Sequence, residues 1–255
     1  MNRFDLACAL AKQGGEICLK WFGGNNTVIE KSETDVVLTA DLEAEKFILG
    51  EIRKHFPDDA ILSEEAGETG KNSSVRWIVD PLDGTVNFNA GIPFFCCAVG
   101  VEQDGTMIGA AVYDPITQEL TTAERGKGAF LNGNKIHVSP NKNLRASLIS
   151  SMSRFQDETA QEQGMKDFRN ILRSCRSIRI RGCTMLDLCQ VARGVFDGFI
   201  KIYGAYEDCA VGTLIVEEAG GHISDYDNNP WGPNSKNIVA SNGAVHAALL
   251  KALGG

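Results

Sequence analysis

Residues 77–88 read "WIVDPLDGTVNF": an apolar run that ends on two aspartates three positions apart and passes straight into Gly-Thr. The run reads as a buried strand, and a buried strand that ends on clustered acids constrains what can surround it. Pro81 stiffens the corner between Asp80 and Asp83, which places the two carboxylates about one turn apart. Like charges that close repel, and one pKa rises unless a cation lies between them. Oxygen donors suit a hard ion such as Mg2+. An Asp-rich turn with Asp83-Gly84 at its corner would explain the same residues without chemistry. The residues that follow favour the first reading. Gly84 and Thr85 are placed to open a helix through Val86, Asn87 and Phe88, and the amide end of a helix suits a phosphate oxygen.

Two other acidic segments fall where they could join this pair. "ILSEEAG" ends a preceding apolar run on Glu64 and Glu65, which reach the same spot if the strand ends align. "YGAYEDCAVGTLIVEEAGG" sets Asp208 at the N-cap position of a helix whose apolar residues Val211, Leu214, Ile215 and Ala219 keep helical spacing, with Gly220-Gly221 as its stop. A solvated loop and an ordinary helix cap would account for these acids taken singly.

The remaining pattern sets the fold class. Apolar positions from Ala7 to Trp21 and from Asp41 to His55 recur at helical spacing, and "VIEKSETDVVLTAD" between them reads as a hairpin. From Phe94 to Val138, "FFCCAVGV", "MIGAAVYD", "ELTTAER" and "GAFLNGNKIHV" are separated by turn residues, which predicts an antiparallel meander. Beyond "SPNKN", the strands "ASLISSM", "SIRIRG", "FDGFIKI" and "NIVASN" alternate with helices near 158–172, 183–193, 208–219 and 243–253. Two sheets with helices layered on them follow, divided near residue 140: an α+β half over 1–140 that carries the acidic loops, and an α/β half over 141–255 that contributes Asp208.

Composition narrows the function classes. A net charge of −8 argues against nonspecific nucleic-acid binding, which draws its affinity from Lys and Arg on phosphates. No apolar stretch is long enough to span a membrane, and Met1 to Leu10 lacks the layout of a signal peptide, so a soluble cytoplasmic protein is expected. The eight cysteines show no Cys-x-x-Cys pair and read as reduced thiols; Cys96 and Cys97, inside an apolar strand, read as core.

Taken together, "WIVDPLDGTVNF", "SEEAG", "EDCAVGTLIVEEAGG" and "RGKGAFLNG" resemble the inositol monophosphatase family, within the lithium-sensitive, magnesium-dependent sugar-phosphate phosphatases, over nearly the whole chain. The resemblance implies an αβαβα layered sandwich, a homodimer, and two or three Mg2+ ions per site. It implies metal contacts from Glu64, Asp80, the Leu82 carbonyl, Asp83 and Asp208. Thr85 would work with Glu64 to orient the nucleophilic water, and Asp41 would hydrogen-bond that threonine. Gly84, Thr85 and Lys31 would hold the phosphate. The substrate is then a small phosphorylated metabolite, hydrolysed without a covalent phosphoenzyme; a phosphoaspartate enzyme would show Asp-x-Asp rather than Asp-x-x-Asp.

Two positions depart from the family pattern. Glu207 replaces the tryptophan usual before the helix aspartate, and Lys201 stands seven residues before Asp208, where the inositol enzymes carry a substrate-contacting glutamate. A lysine prefers an anion to a sugar hydroxyl, so Lys201 is a candidate contact for a second anionic group of substrate; a lysine pointing to solvent from a strand end is the competing reading. Cys183 and Thr184 fall where family members touch substrate. Arg179 and Arg181 alternate about Ile180 as if on one strand face, with solvent as their expected surroundings. Inositol 1-phosphate, fructose 1,6-bisphosphate, histidinol phosphate, and 3'-phosphoadenosine 5'-phosphate or NADP remain open as substrates. A binding or regulatory member with residual activity is the alternative of another class.

Overall fold

The computed structural model describes residues 1–24, 28–32, 35–70, 73–153, 158–202 and 205–254. In chain order the elements are α1 (Arg3–Trp21), β1 (Val28–Ser32), β2 (Asp35–Leu38), α2 (Thr39–His55), β3 (Ala60–Ser63), β4 (Gly67–Thr69), β5 (Val75–Asp83) and α3 (Thr85–Asn89). The meander follows as β6 (Cys96–Gln103), β7 (Thr106–Asp114), β8 (Glu119–Glu124), β9 (Gly128–Leu131) and β10 (Asn134–Ile136). The rest is β11 (Leu148–Ser153), α4 (Glu158–Ser174), β12 (Ser177–Arg179), α5 (Thr184–Ala192), β13 (Gly198–Ile202), α6 (Glu207–Glu218), β14 (His222–Ser224), β15 (Asn237–Ser241) and α7 (His246–Leu253).

One sheet runs β10-β9-β8-β7-β6-β5-β3-β4 and a second runs β12-β11-β13-β15-β14, with β1 and β2 a separate antiparallel pair. The layers follow from where each strand buries its apolar side chains. Trp77, Val79, Cys97 and Val99 on one face of the large sheet pack on Leu6, Leu10, Ile48 and Ile52 of α1 and α2. Ile78, Cys96, Ala98 and Val112 on the other face meet Leu188, Val191, Val211 and Leu214 of α5 and α6, whose far sides pack on Phe199 and Ala240 of the second sheet. Ile149, Ile200 and Val239 on that sheet's outer face meet Ile171 of α4 and Leu249 of α7. The result is the expected αβαβα sandwich, and its two halves share the α5–α6 layer as one core.

The departures from the sequence reading have local causes. α1 begins at Arg3 rather than near Ala7, because the Asn2 side chain accepts the Asp5 N–H at 2.8 Å and caps a polar first turn that carries no apolar signal. Gly14 and Gly15 lie inside that helix because a Cβ would come within 2.7 Å of Cys97 Sγ or of the Tyr113 ring; the helix rests directly on the sheet. α2 begins at Thr39, two residues before Asp41. β14 is three residues long and gave no sequence pattern. All eight cysteines are free thiols, and seven of them, including Cys96 and Cys97, are buried. Among the described residues no helix is long and apolar enough to cross a membrane.

Candidate active site

The site begins with a fault in β5. Asp80 pairs with Ala98 and Asp83 with Cys96, so three steps along β5 match two along β6. That is a β-bulge at Pro81-Leu82, where proline has no N–H to give the ladder. Side chains alternate along a strand, so without the bulge Asp83 would point away from Asp80. The extra residue turns Leu82 into the cluster with Phe88 and Phe95 and returns Asp83 to the α5–α6 side, the side of Asp80. The two acids are therefore joined by bulged extended chain, not by the turn expected from sequence.

The neighbouring strand supplies the next acid. β3 runs parallel to β5 with Ser63 beside Val79, and the Glu64 N–H donates to the Val79 carbonyl at 3.2 Å, which sets Glu64 alongside Asp80. Glu45 of α2 holds this corner: its Oε1 takes the Ser63 hydroxyl and the amides of Glu65 and Ala66 at 3.3 and 3.0 Å. The sequence reading passed over Glu45; an acid on the Ala44 and Ile48 face of α2 was its only signal. Asp41, one turn earlier on α2, is also buried.

Asp80 lies at the centre. Burial raises its pKa well above the carboxylate range, and Glu64, Asp83, Asp208 and Asp41 add to the rise in that order. Among the described residues no hydrogen-bond donor reaches the buried Asp80 Oδ1. Asp83 is half-buried, and its pKa is raised by desolvation although the Met185 N–H and the Cys183 thiol, the latter at 3.1 Å, bond its Oδ2. Met185 lies in the first turn of α5, and the Cys183 side chain makes no cap bond for that helix, so a carboxylate from the large sheet serves instead.

Asp208 lies inside the first turn of α6 rather than at its cap, which is Tyr206. Its Oδ2 accepts the Ala205 N–H at 3.2 Å and the Lys201 ammonium at 2.7 Å. Lys201 does not point to solvent. It is 5% exposed and also donates to Thr184 Oγ1 at 3.3 Å. On β13 it follows Phe199 by two and so faces the α5–α6 layer. Burial works against the ammonium, yet nearby groups, Cys209 and Asp208 foremost, raise its pKa above the ordinary lysine value. Cys183 and Thr184 are buried beside it, the thiol on Asp83 and the hydroxyl on Lys201. Glu207 is half-buried on the same turn.

Gly84 caps α3 at φ 95°, a left-handed conformation, and a Cβ there would lie 2.9 Å from the Phe94 carbonyl; only glycine fits. The Thr85 hydroxyl donates to the Leu82 carbonyl at 2.9 Å, the oxygen that the resemblance assigns to a metal. Asn87 donates to the Phe94 carbonyl at 2.9 Å and ties this loop to the second half through the Arg181 carbonyl at 2.7 Å. Arg181 lies past the end of β12 and leaves the solvated face expected for it. It bonds Asp187 at 2.8 and 2.6 Å and stacks on Phe94 and Phe196, while Arg179 stays exposed. Lys31 is on β1, and its side chain lies outside the described residues.

An αβαβα sandwich with oxygen donors from a strand bulge, a loop and a helix start, gathered between its halves, is an α/β protein of the sugar-phosphatase type. The chain belongs to the inositol monophosphatase family, whose model matches residues 2–254. It is 38% identical to Nus factor SuhB of Vibrio cholerae over 87% of this chain and 84% of that protein. It is 36% identical to inositol monophosphatase 1 of Solanum lycopersicum over 97% and 93%. The solved structure of extragenic suppressor protein SuhB from Bartonella henselae superposes with a TM-score of 0.93 at 36% identity, covering 98% of this chain and 97% of that one.

Proposed function

We propose that the chain is a Mg2+-dependent phosphatase that hydrolyses a small phosphate monoester with activated water. One observation carries the reading. Asp80 is buried with Glu64, Asp83 and Asp208 around it, and its Oδ1 is unbonded among the described residues. Crowding carboxylates around a buried one is costly unless cations offset them, and an all-oxygen donor set fits Mg2+. Glu64, Asp80, the Leu82 carbonyl, Asp83 and Asp208 would hold the ions. The chemistry such ions supply when bound is Lewis acidity: a more acidic water and compensation for charge on the phosphoryl oxygens.

The chain's own residues do the positioning. Asp80 and Asp83 fix their oxygens through the bulge, and Glu45 holds the Glu64 corner. Thr85, with Asp41 as the partner the family resemblance assigns it, would orient the attacking water with Glu64. The amides of Gly84 and Thr85, with no intrahelical partner at a helix start, would take a phosphoryl oxygen, with Lys31 as a further phosphate contact. Lys201, Cys183 and Thr184, proposed from sequence as substrate contacts, bond Asp208, Asp83 and Lys201 in turn, which favours a supporting role. Inositol 1-phosphate or a sugar phosphate is the substrate class favoured by the family; a lithium-sensitive cytoplasmic homodimer is part of the same reading.

The test is phosphate release with Mg2+ across inositol 1-phosphate, fructose 1,6-bisphosphate, histidinol phosphate, NADP and 3'-phosphoadenosine 5'-phosphate, with and without lithium. Mg2+-dependent release from at least one ester is expected; none from any would overturn the reading. The relatives named Nus factor SuhB favour a second reading, a regulatory partner with residual activity. Release only at a residual level from every ester would favour it.

A further inference from the structure

The four carboxylates around Asp80 include one that already has a cation. Lys201 reaches Asp208 Oδ2 at 2.7 Å from the middle of β13, a strand buried along its whole length. Its other partner is Thr184 at the start of α5, so it is held where the second sheet, α5 and α6 meet. A buried ammonium needs a partner this close to offset its desolvation. Asp208 in turn gains an ammonium that no neighbouring acid can supply.

Resting on the metal reading above, we propose that Lys201 is a tethered cation that competes with a metal ion for Asp208, so that metal uptake at this carboxylate requires the ammonium to let go. In the metal-free protein the lysine keeps Asp208 paired and the α6 start in place. When the ion enters, two cations contend for one carboxylate, and the site binds metal more weakly than an equivalent site without the lysine. Lys201 is here a positioning residue for Asp208. Lys201 also lines a small cleft with Ala205, Trp231, Ser235 and Lys236.

The experiment counts bound Mn2+, as a paramagnetic stand-in for Mg2+, by the free-ion resonance during titration of the full chain. Lys201→Gln should tighten one binding step by roughly 5- to 150-fold, the usual range of coupling between linked sites, and leave the other unchanged. Lys201→Arg should keep the weak step, and adding Asp208→Asn to Lys201→Gln should remove the gain. Equal Mn2+ binding by wild type and Lys201→Gln would overturn the proposal while leaving the metal reading intact. Absence of bound Mn2+ in both proteins would overturn both. If the variants fail to fold, the wild type suffices: the Lys201 ammonium signal in a 1H-15N spectrum should shift as Mg2+ fills the site, and an unmoved signal would overturn the proposal.

Discussion

Arg181→Met is the perturbation whose cost can be worked most fully from the structure. Asp187 is fully buried, and its Oδ1 accepts two bonds from the Arg181 guanidinium while its Oδ2 takes the Ser150 hydroxyl. Burial pushes the Asp187 pKa up to about 6 from the ordinary 3.8, in spite of Arg181. A raised carboxyl pKa means that the folded state binds more protons than the unfolded one between those two values. This group's contribution to stability therefore falls as pH rises through that window, by about 3 kcal/mol. Without the guanidinium the pKa rises further and the ionised form is stranded. At pH 8 the loss should be about 3–5 kcal/mol, the cost of breaking a buried pair on one side, or roughly 6–20 °C in melting temperature for a chain this size. At pH 5 the variant's Asp187 is protonated, and only packing and hydrogen bonds are lost, about 1 kcal/mol. Urea unfolding followed by circular dichroism at both pH values measures the difference, and Arg181→Met/Asp187→Asn should recover most of the loss at pH 8. Equal losses at pH 5 and pH 8, or no recovery in the double variant, would refute the reasoning.

Three further outcomes are expected. Asp83→Asn should leave the circular dichroism spectrum unchanged and cut turnover by more than the roughly 10- to 100-fold that loss of an outer partner costs; retained turnover with normal Mg2+ dependence would remove Asp83 from the metal set. Gly84→Ala should lose turnover out of proportion to stability, since a left-handed alanine costs about 1–2 kcal/mol while the clash with the Phe94 carbonyl displaces the loop proposed to hold phosphate; phosphate release and melting measured together separate the two. Mg2+ should raise the melting temperature of chelator-treated protein, by about 2.7 kcal/mol of stability at a hundred times its dissociation constant, and Asp80→Asn should abolish most of that rise in differential scanning fluorimetry.

The layered fold and the meander were legible because long periodic segments and Gly or Asn turns are local signals. The ends of α1 and α2 and the strand β14 were not, because a capping side chain or three residues of strand leave no period to read. The acidic segments announced themselves as acids after apolar runs. How the acids converge did not: the bulge that turns Asp83 is visible only once β5 is paired with β6, and the placement of Asp208 depends on the packing of α6 between sheets. Lys201 and Arg181 show the same limit from the other side. Each is a charged residue whose sequence neighbours suit solvent, and each is drawn inward by an acid seven or six positions along the chain.

Because α5 and α6 are the filling between both sheets, the amino-terminal half cannot finish its core when its own last strand emerges from the ribosome. Ile78, Ala98 and Val112 stay uncovered until residues 184–218 follow the end of β10 at Ile136. At synthesis rates of about 5–20 residues per second, that interval lasts on the order of 4–16 s. During it the large sheet offers an apolar face to any chaperone or neighbouring chain. Asp208 arrives with the helix that closes this face, so the chain becomes able to assemble its carboxylate cluster at the same moment that it stops being prone to aggregate.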